Sequence, residues 1–99
     1  MIKVGISSDA LADLNDGFRF YEAQESGLGD YFANCLRADI DHLRVSGGIH
    51  RCVYRDYRRL LSTVFPYAVF YTLESNTATV WAVIDCRRDP DWIRSHLDK

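Results

Sequence analysis

The chain has 99 residues, with 47% hydrophobic and 26% charged side chains, a composition that excludes a disordered chain and fits one globular domain. Its net charge of −2 and pI near 5.8 lack the basic excess of a protein that grips nucleic acid through phosphates. No apolar run reaches the ~18 residues of a membrane span. The N-terminus has no basic start followed by an apolar core, so no signal peptide is indicated and a cytoplasmic location is expected.

Ile2, Val4 and Ile6 alternate and predict a short strand. Ser7, Ser8 and Asp9 offer oxygens to cap a helix that follows to about Gln24. In that helix Leu11, Leu14, Phe18 and Tyr21 share one face. Ser26-Gly27-Leu28-Gly29 interrupts the pattern, and a second helix runs from about Leu28 to Val45 with Phe32, Leu36, Ile40 and Leu43 as its apolar stripe. Ser46-Gly47-Gly48 ends it, because glycine can take the left-handed conformation past a helix C-terminus. The short break between the helices predicts an antiparallel hairpin.

From Val53 the period becomes two. One strand is expected over about Val53 to Thr63, a turn at Phe65-Pro66, a strand from Tyr67 to Leu73, a loop at Glu74-Ser75-Asn76-Thr77 and a strand from Thr79 to Asp85. Asp89 can cap a last helix with Pro90 at its first position, folding Trp92, Ile93 and Leu97 back onto the core. The order β-α-α-β-β-β-α predicts an α+β domain with the helical hairpin packed on a mainly antiparallel sheet. Leu14, Phe18, Phe32, Leu36, Val69, Val80, Ala82 and Ile84 are the expected core.

Cys35, Cys52 and Cys86 are odd in number and widely spaced, which predicts free, buried or half-buried thiols rather than a disulfide framework. His42, His50 and His96 show no ligand spacing with each other or with the cysteines, so neither a metal nor another cofactor is expected. Ten of the twelve basic residues are arginine, and Arg51, Arg55, Arg58 and Arg59 fall within nine positions. On a continuous strand, Arg55, Tyr57 and Arg59 would share one face and Arg58 would lie opposite. They are either a solvated, charge-paired strand or anchors for a partner's carboxylates. Arg87 and Arg88, just past a strand end, either pair with Asp85, Asp89 or Asp91 or face a partner. Tyr67, Tyr71 and Trp81 are expected on one sheet face, as core or as interface anchors.

Four segments in order resemble the RelE/ParE superfamily of bacterial toxins. Gly-Leu-Gly-Asp-Tyr-Phe at 27–32 is similar to the opening of the family's second helix, and Tyr57-Arg58-Arg59-Leu60-Leu61 to its second strand. Phe65-Pro66-Tyr67-Ala68-Val69-Phe70-Tyr71 is similar to the third strand. Ala82-Val83-Ile84-Asp85-Cys86-Arg87-Arg88-Asp89-Pro90 is similar to the end of the fourth. The resemblance implies the toxin half of a type II toxin–antitoxin pair, neutralised by a small antitoxin from the same operon. RelE-like members cut messenger RNA in the ribosomal A site, whereas ParE-like members poison DNA gyrase.

Cleavage through a 2′-OH needs a base, stabilisers of phosphorane charge and an acid. The resemblance matches only part of the basic set that RelE-like ribonucleases use. Arg59 and Arg88 fill two of its positions, which makes them the catalytic candidates under that course. Ala68 and Leu61 stand at two others, and no tyrosine follows Tyr71. The acidic pI also fits poorly with ribosomal RNA. The ParE-like course is therefore favoured, with a partner-binding set of Arg55, Tyr57, Arg58, Arg59, Tyr67, Tyr71, Trp81, Arg87 and Arg88. A ribosome-dependent ribonuclease and an attenuated toxin that only binds its antitoxin are the alternatives.

Overall fold

The computed structural model describes residues 1–98. β1 (Lys3–Ile6) leads into α1 (Ser8–Gln24), α2 (Leu28–Asp41) and the single turn α3 (Leu43–Ser46). β2 (Cys52–Tyr54), β3 (Tyr57–Leu61), β4 (Tyr67–Glu74), β5 (Thr77–Asp85) and α4 (Pro90–Leu97) follow. The sheet order is β1-β5-β4-β3-β2, with β1 parallel to β5 and the other neighbours antiparallel. This is the expected α+β architecture, with the first strand of the meander folded into a short hairpin.

That hairpin corrects the expected single strand from Val53 to Thr63. The chain reverses at Arg55 and Asp56, and Arg55 takes the left-handed conformation with φ 52°. Arginine seldom marks such a turn. Arg55 consequently leaves the strand face of Tyr57 and Arg59. The β4–β5 turn is more ordinary: Ser75 and Asn76 both have positive φ, as a two-residue hairpin requires.

Ser7 caps α1, its Oγ accepting from the Ala10 N–H at 3.1 Å. Gly27, with φ 88°, precedes α2, whose free N–H groups are met from the neighbouring helix: the Glu22 carboxylate accepts from Gly27 and Gly29. The helices approach through glycines. A Cβ on Gly17 would lie 2.5 Å from Phe32 Cζ, and one on Gly29 would lie 2.7 Å from the Phe18 carbonyl oxygen. The buried face of α1 is therefore Ala10, Gly17 and Tyr21 with half-buried Leu14, which corrects the expected stripe. Phe18 is only half-buried and Leu11 is exposed. Gly47 keeps a right-handed φ of −55°, so the chain leaves α3 without the left-handed glycine expected there.

Both faces of the central strands are covered. Tyr67, Val69, Tyr71, Val80 and Val83 pack with Phe32, Leu36, Ile40 and Leu43 of the helical side. Ala68, Phe70, Ala82 and Ile84 pack with Leu97 and Ile93 of α4. A β-bulge opposite Phe70 and Tyr71 resets the alternation of β5, so Val80 and Val83 both face the hairpin. Asp89 stands at the N-cap of α4 with Pro90 next, but its side chain makes no capping bond.

Candidate functional site

The sequence-predicted residues do not converge on one site. Tyr67 and Tyr71 are core. Tyr71 is fully buried and donates its hydroxyl to the Gly47 carbonyl at 2.6 Å, and burial pushes the Tyr67 hydroxyl up to about 12. Trp81 lies on the opposite sheet face, 44% exposed, with Nε1 donating to Thr72 Oγ1 at 2.9 Å. The expected common face of these three aromatics is thus divided, because Trp81 follows Val80 on an alternating strand.

The arginines separate in the same way. Arg58 Nη1 donates to the His50 carbonyl at 2.6 Å and pins the segment entering β2. Arg55 Nε lies 3.3 Å from Asp98, whose carboxylate also accepts from the Tyr54 hydroxyl at 2.7 Å. Tyr57 donates to the Leu97 carbonyl at 3.1 Å and so holds the end of α4. Arg87 is folded onto Asp85, whose carboxyl is held below the usual carboxylate range mainly by those hydrogen bonds. Arg88 lays its guanidinium 4.0 Å from the centroid of the Trp92 ring. Of the predicted arginines, only Arg59 and Arg88 lack a carboxylate or carbonyl partner among the described residues.

Sequence reasoning missed a cavity of about 380 Å³ between α1, the end of β5 and α4. Asp13, Asp16, Phe20, Tyr67, Arg88, Trp92 and His96 are among its lining. Asp13 accepts from the Val83 N–H at 3.0 Å and lies 3.4 Å from His96 Nε2, and its burial raises its pKa. Arg88, Trp92 and His96 recur at helical spacing, and the Trp92 and His96 rings stack at 4.9 Å. The signal was present in the four-residue spacing, but nothing local marks Asp13 as their neighbour. A shallower recess on the α4 side of the sheet, about 670 Å³, is lined by Arg55, Tyr57, Thr72, Glu74 and Trp81.

On the face that would bear ribonuclease groups, Arg59 stands exposed opposite Phe70, but the adjoining row is aliphatic. Leu61 pairs with Ala68 across β3 and β4, and Ala68 pairs with Ile84 across β4 and β5. Ala68 is 2% exposed and Ile84 3%, packed with Leu97 of α4. A third recess, about 290 Å³, lies against Ile6, Leu11, Leu14, Phe18, Ala33 and Arg37 beside the helical hairpin. The thiols are free, and Cys52 and Cys86 are exposed, contrary to the buried placement expected, while Cys35 is half-buried. Among the described residues no three His, Cys, Asp or Glu side chains are grouped to hold a metal, and no helix is long and apolar enough to cross a membrane.

No protein-family model and no curated protein matches the sequence. Solved structures do match the fold. The chromosomal ParDE TA system of P. aeruginosa matches with a TM-score of 0.78 at 11% identity, over 86% of this chain and 96% of that chain. The intact E. coli RelBE toxin–antitoxin complex matches at 0.63 and 13% identity, over 89% and 100%. The isolated E. coli RelE toxin matches at 0.63 and 12% identity, over 99% and 98%. The chain has the RelE/ParE-like α+β fold.

Proposed function

We propose that this protein is the toxin of a type II toxin–antitoxin pair and acts by binding DNA gyrase rather than by cutting RNA. The observation that carries the choice of target is the Leu61, Ala68 and Ile84 row. An RNA-cleaving face needs charged groups around the scissile phosphate. Here that row is aliphatic and two of its three members lie beneath α4, which leaves Arg59 as the charged group of β3 on that face. The likeness to a ParDE system at a TM-score of 0.78 supports the same reading. Arg59 and Arg88 favour the ribonuclease alternative, since both remain without anionic partners among the described residues. The likeness to a RelBE toxin–antitoxin complex and to a ParDE system supports a cognate antitoxin.

The antitoxin has a surface suited to it in the recess beside the helical hairpin. Leu11 is 53% exposed and Ile6 38%, and β1 is an edge strand beside them. An amphipathic helix or an added strand covers such surfaces. Expression of the chain alone should arrest growth, and co-expression of the small protein encoded beside it should restore growth and copurify. Unimpaired growth, or a soluble neighbour that does not bind, contradicts the pairing.

A further inference from the structure

The two arms of the β2–β3 hairpin part beyond Arg58. The last register pair is Cys52 with Arg58, whereas β3 continues along β4 to Leu61. Ser62 donates its N–H to the Tyr67 carbonyl at 2.9 Å, which marks a hydrogen-bonded pair. Antiparallel bonding alternates, so Leu60 bonds back to β4 and Leu61 directs its N–H and C=O outward. A cleft of about 350 Å³ lies there, lined by His50, Arg51, Val53, Arg59, Leu60 and Leu61.

We propose that this open edge of β3 receives an extended protein segment that carries carboxylates between aliphatic side chains. Leu61 supplies unpaired ladder groups. Val53, 45% exposed, and Leu61, 53% exposed, supply an aliphatic floor. Arg51 and Arg59 are exposed and have no ion-pair partner among the described residues, in a chain whose net charge is −2. A segment added at a sheet edge takes affinity from main-chain bonds and specificity from alternating side chains. Arg59 and Leu61 share one sheet face and Leu60 lies on the other, so an alternating segment sets its acids on the face of Arg59 and its aliphatic side chains on the face of Leu60. A second copy of this chain is disfavoured, because edge-to-edge pairing would bring Arg59 against Arg59 or Arg51. Single-stranded nucleic acid is disfavoured because no Phe, Tyr or Trp lines the cleft to stack a base. The inference is independent of the choice between gyrase and ribosome.

The test is an NMR titration of the full chain with the peptide acetyl-Ser-Glu-Val-Glu-Val-Glu-Ser-amide. Comparators are the same peptide with Lys for each Glu, a backbone N-methylated form, and oligouridylate. The acidic peptide should shift the Arg59 and Leu61 amides and slow hydrogen exchange at Leu61. The lysine and N-methylated peptides should bind about tenfold more weakly, the loss of one charge-assisted contact or of the ladder bonds. Arg51→Glu with Arg59→Glu should invert the preference toward the lysine peptide. Equal binding of the acidic and lysine peptides, unchanged Leu61 exchange, or stronger shifts of these amides by oligouridylate would overturn the proposal. The N-methylated comparison needs no variant and stands even if the double replacement fails to fold.

Discussion

Arg87 is folded back onto Asp85, with Nη2 2.6 Å from Oδ2 and Nε 2.9 Å from Oδ1, while its own backbone N–H also donates to Oδ1 at 2.9 Å. Arg88, the next residue, turns the other way and covers Trp92. The two arginines therefore have different predicted roles. Hydrogen bonds favour the ionised form of Asp85, so its stabilisation is present above the unfolded carboxylate value of about 4 and is lost as pH falls through its lowered pKa. Arg87→Ala should flatten this acid dependence in a series of denaturation midpoints. Arg88→Ala should change this acid dependence less than Arg87→Ala, because Arg88 acts on Asp85 only through its charge and as the smallest influence, and should weaken antitoxin capture. An unaltered acid limb in Arg87→Ala would show that the ring of bonds is not maintained in solution.

Asp13 gives the opposite sign. Burial is the largest influence on it and raises its pKa, so the folded protein holds that proton more tightly than the unfolded chain does. The resulting stabilisation is full below the unfolded value of about 4 and is lost as pH rises through the raised folded value. Asp13→Asn keeps an oxygen for the Val83 N–H and removes the titration. Its stability relative to wild type should rise from acid toward neutral pH, as followed by urea denaturation. A difference that stays constant across this range would remove Asp13 as the source.

Gly17→Ala sets helix propensity against packing. Alanine gains roughly 1 kcal/mol in a helix interior. Its Cβ would sit 2.5 Å from Cζ of a fully buried Phe32, itself held among Tyr21, Phe65 and Tyr67. Overpacking of about 1–3 kcal/mol should dominate. Thermal denaturation should show a net loss, and a stabilised variant would mean that the α1–α2 contact gives way more easily than the structure implies.

Leu36 is fully buried on α2, so Leu36→Ala should cost about 2–5 kcal/mol. Leu11→Ala, at an exposed position of α1, should cost little by itself but weaken antitoxin binding. Paired denaturation and binding measurements separate the two. Equal stability losses at both positions would contradict the assigned helix faces.

The apolar stripe Phe32, Leu36, Ile40 and Leu43 was readable because these residues are large, periodic and all buried, although the single helix expected to Val45 is broken at His42 into α2 and α3. The first was read less well because its closest approach is made by Gly17, which adds nothing to a hydrophobic pattern. The β2–β3 turn was invisible because Arg55 and Asp56 interrupt neither the charge nor the alternation around them. The candidate surfaces were legible only in part. Arg87 and Arg88 were found as a pair, but whether each meets Asp85 or Trp92 depends on the placement of α4. Asp13 and His96 lie far apart in sequence, and β1 pairing only as far as Val80 leaves the Val83 amide to Asp13.

Action on gyrase by binding, proposed above, and cleavage of messenger RNA leave different products. The direct measurement is DNA supercoiling by gyrase in the presence of purified chain, beside primer extension on message in programmed ribosomes. Inhibited supercoiling with intact message is the predicted result. Codon-specific cuts in the ribosomal A site, abolished by Arg59→Ala or Arg88→Ala, with supercoiling unaffected, would contradict it.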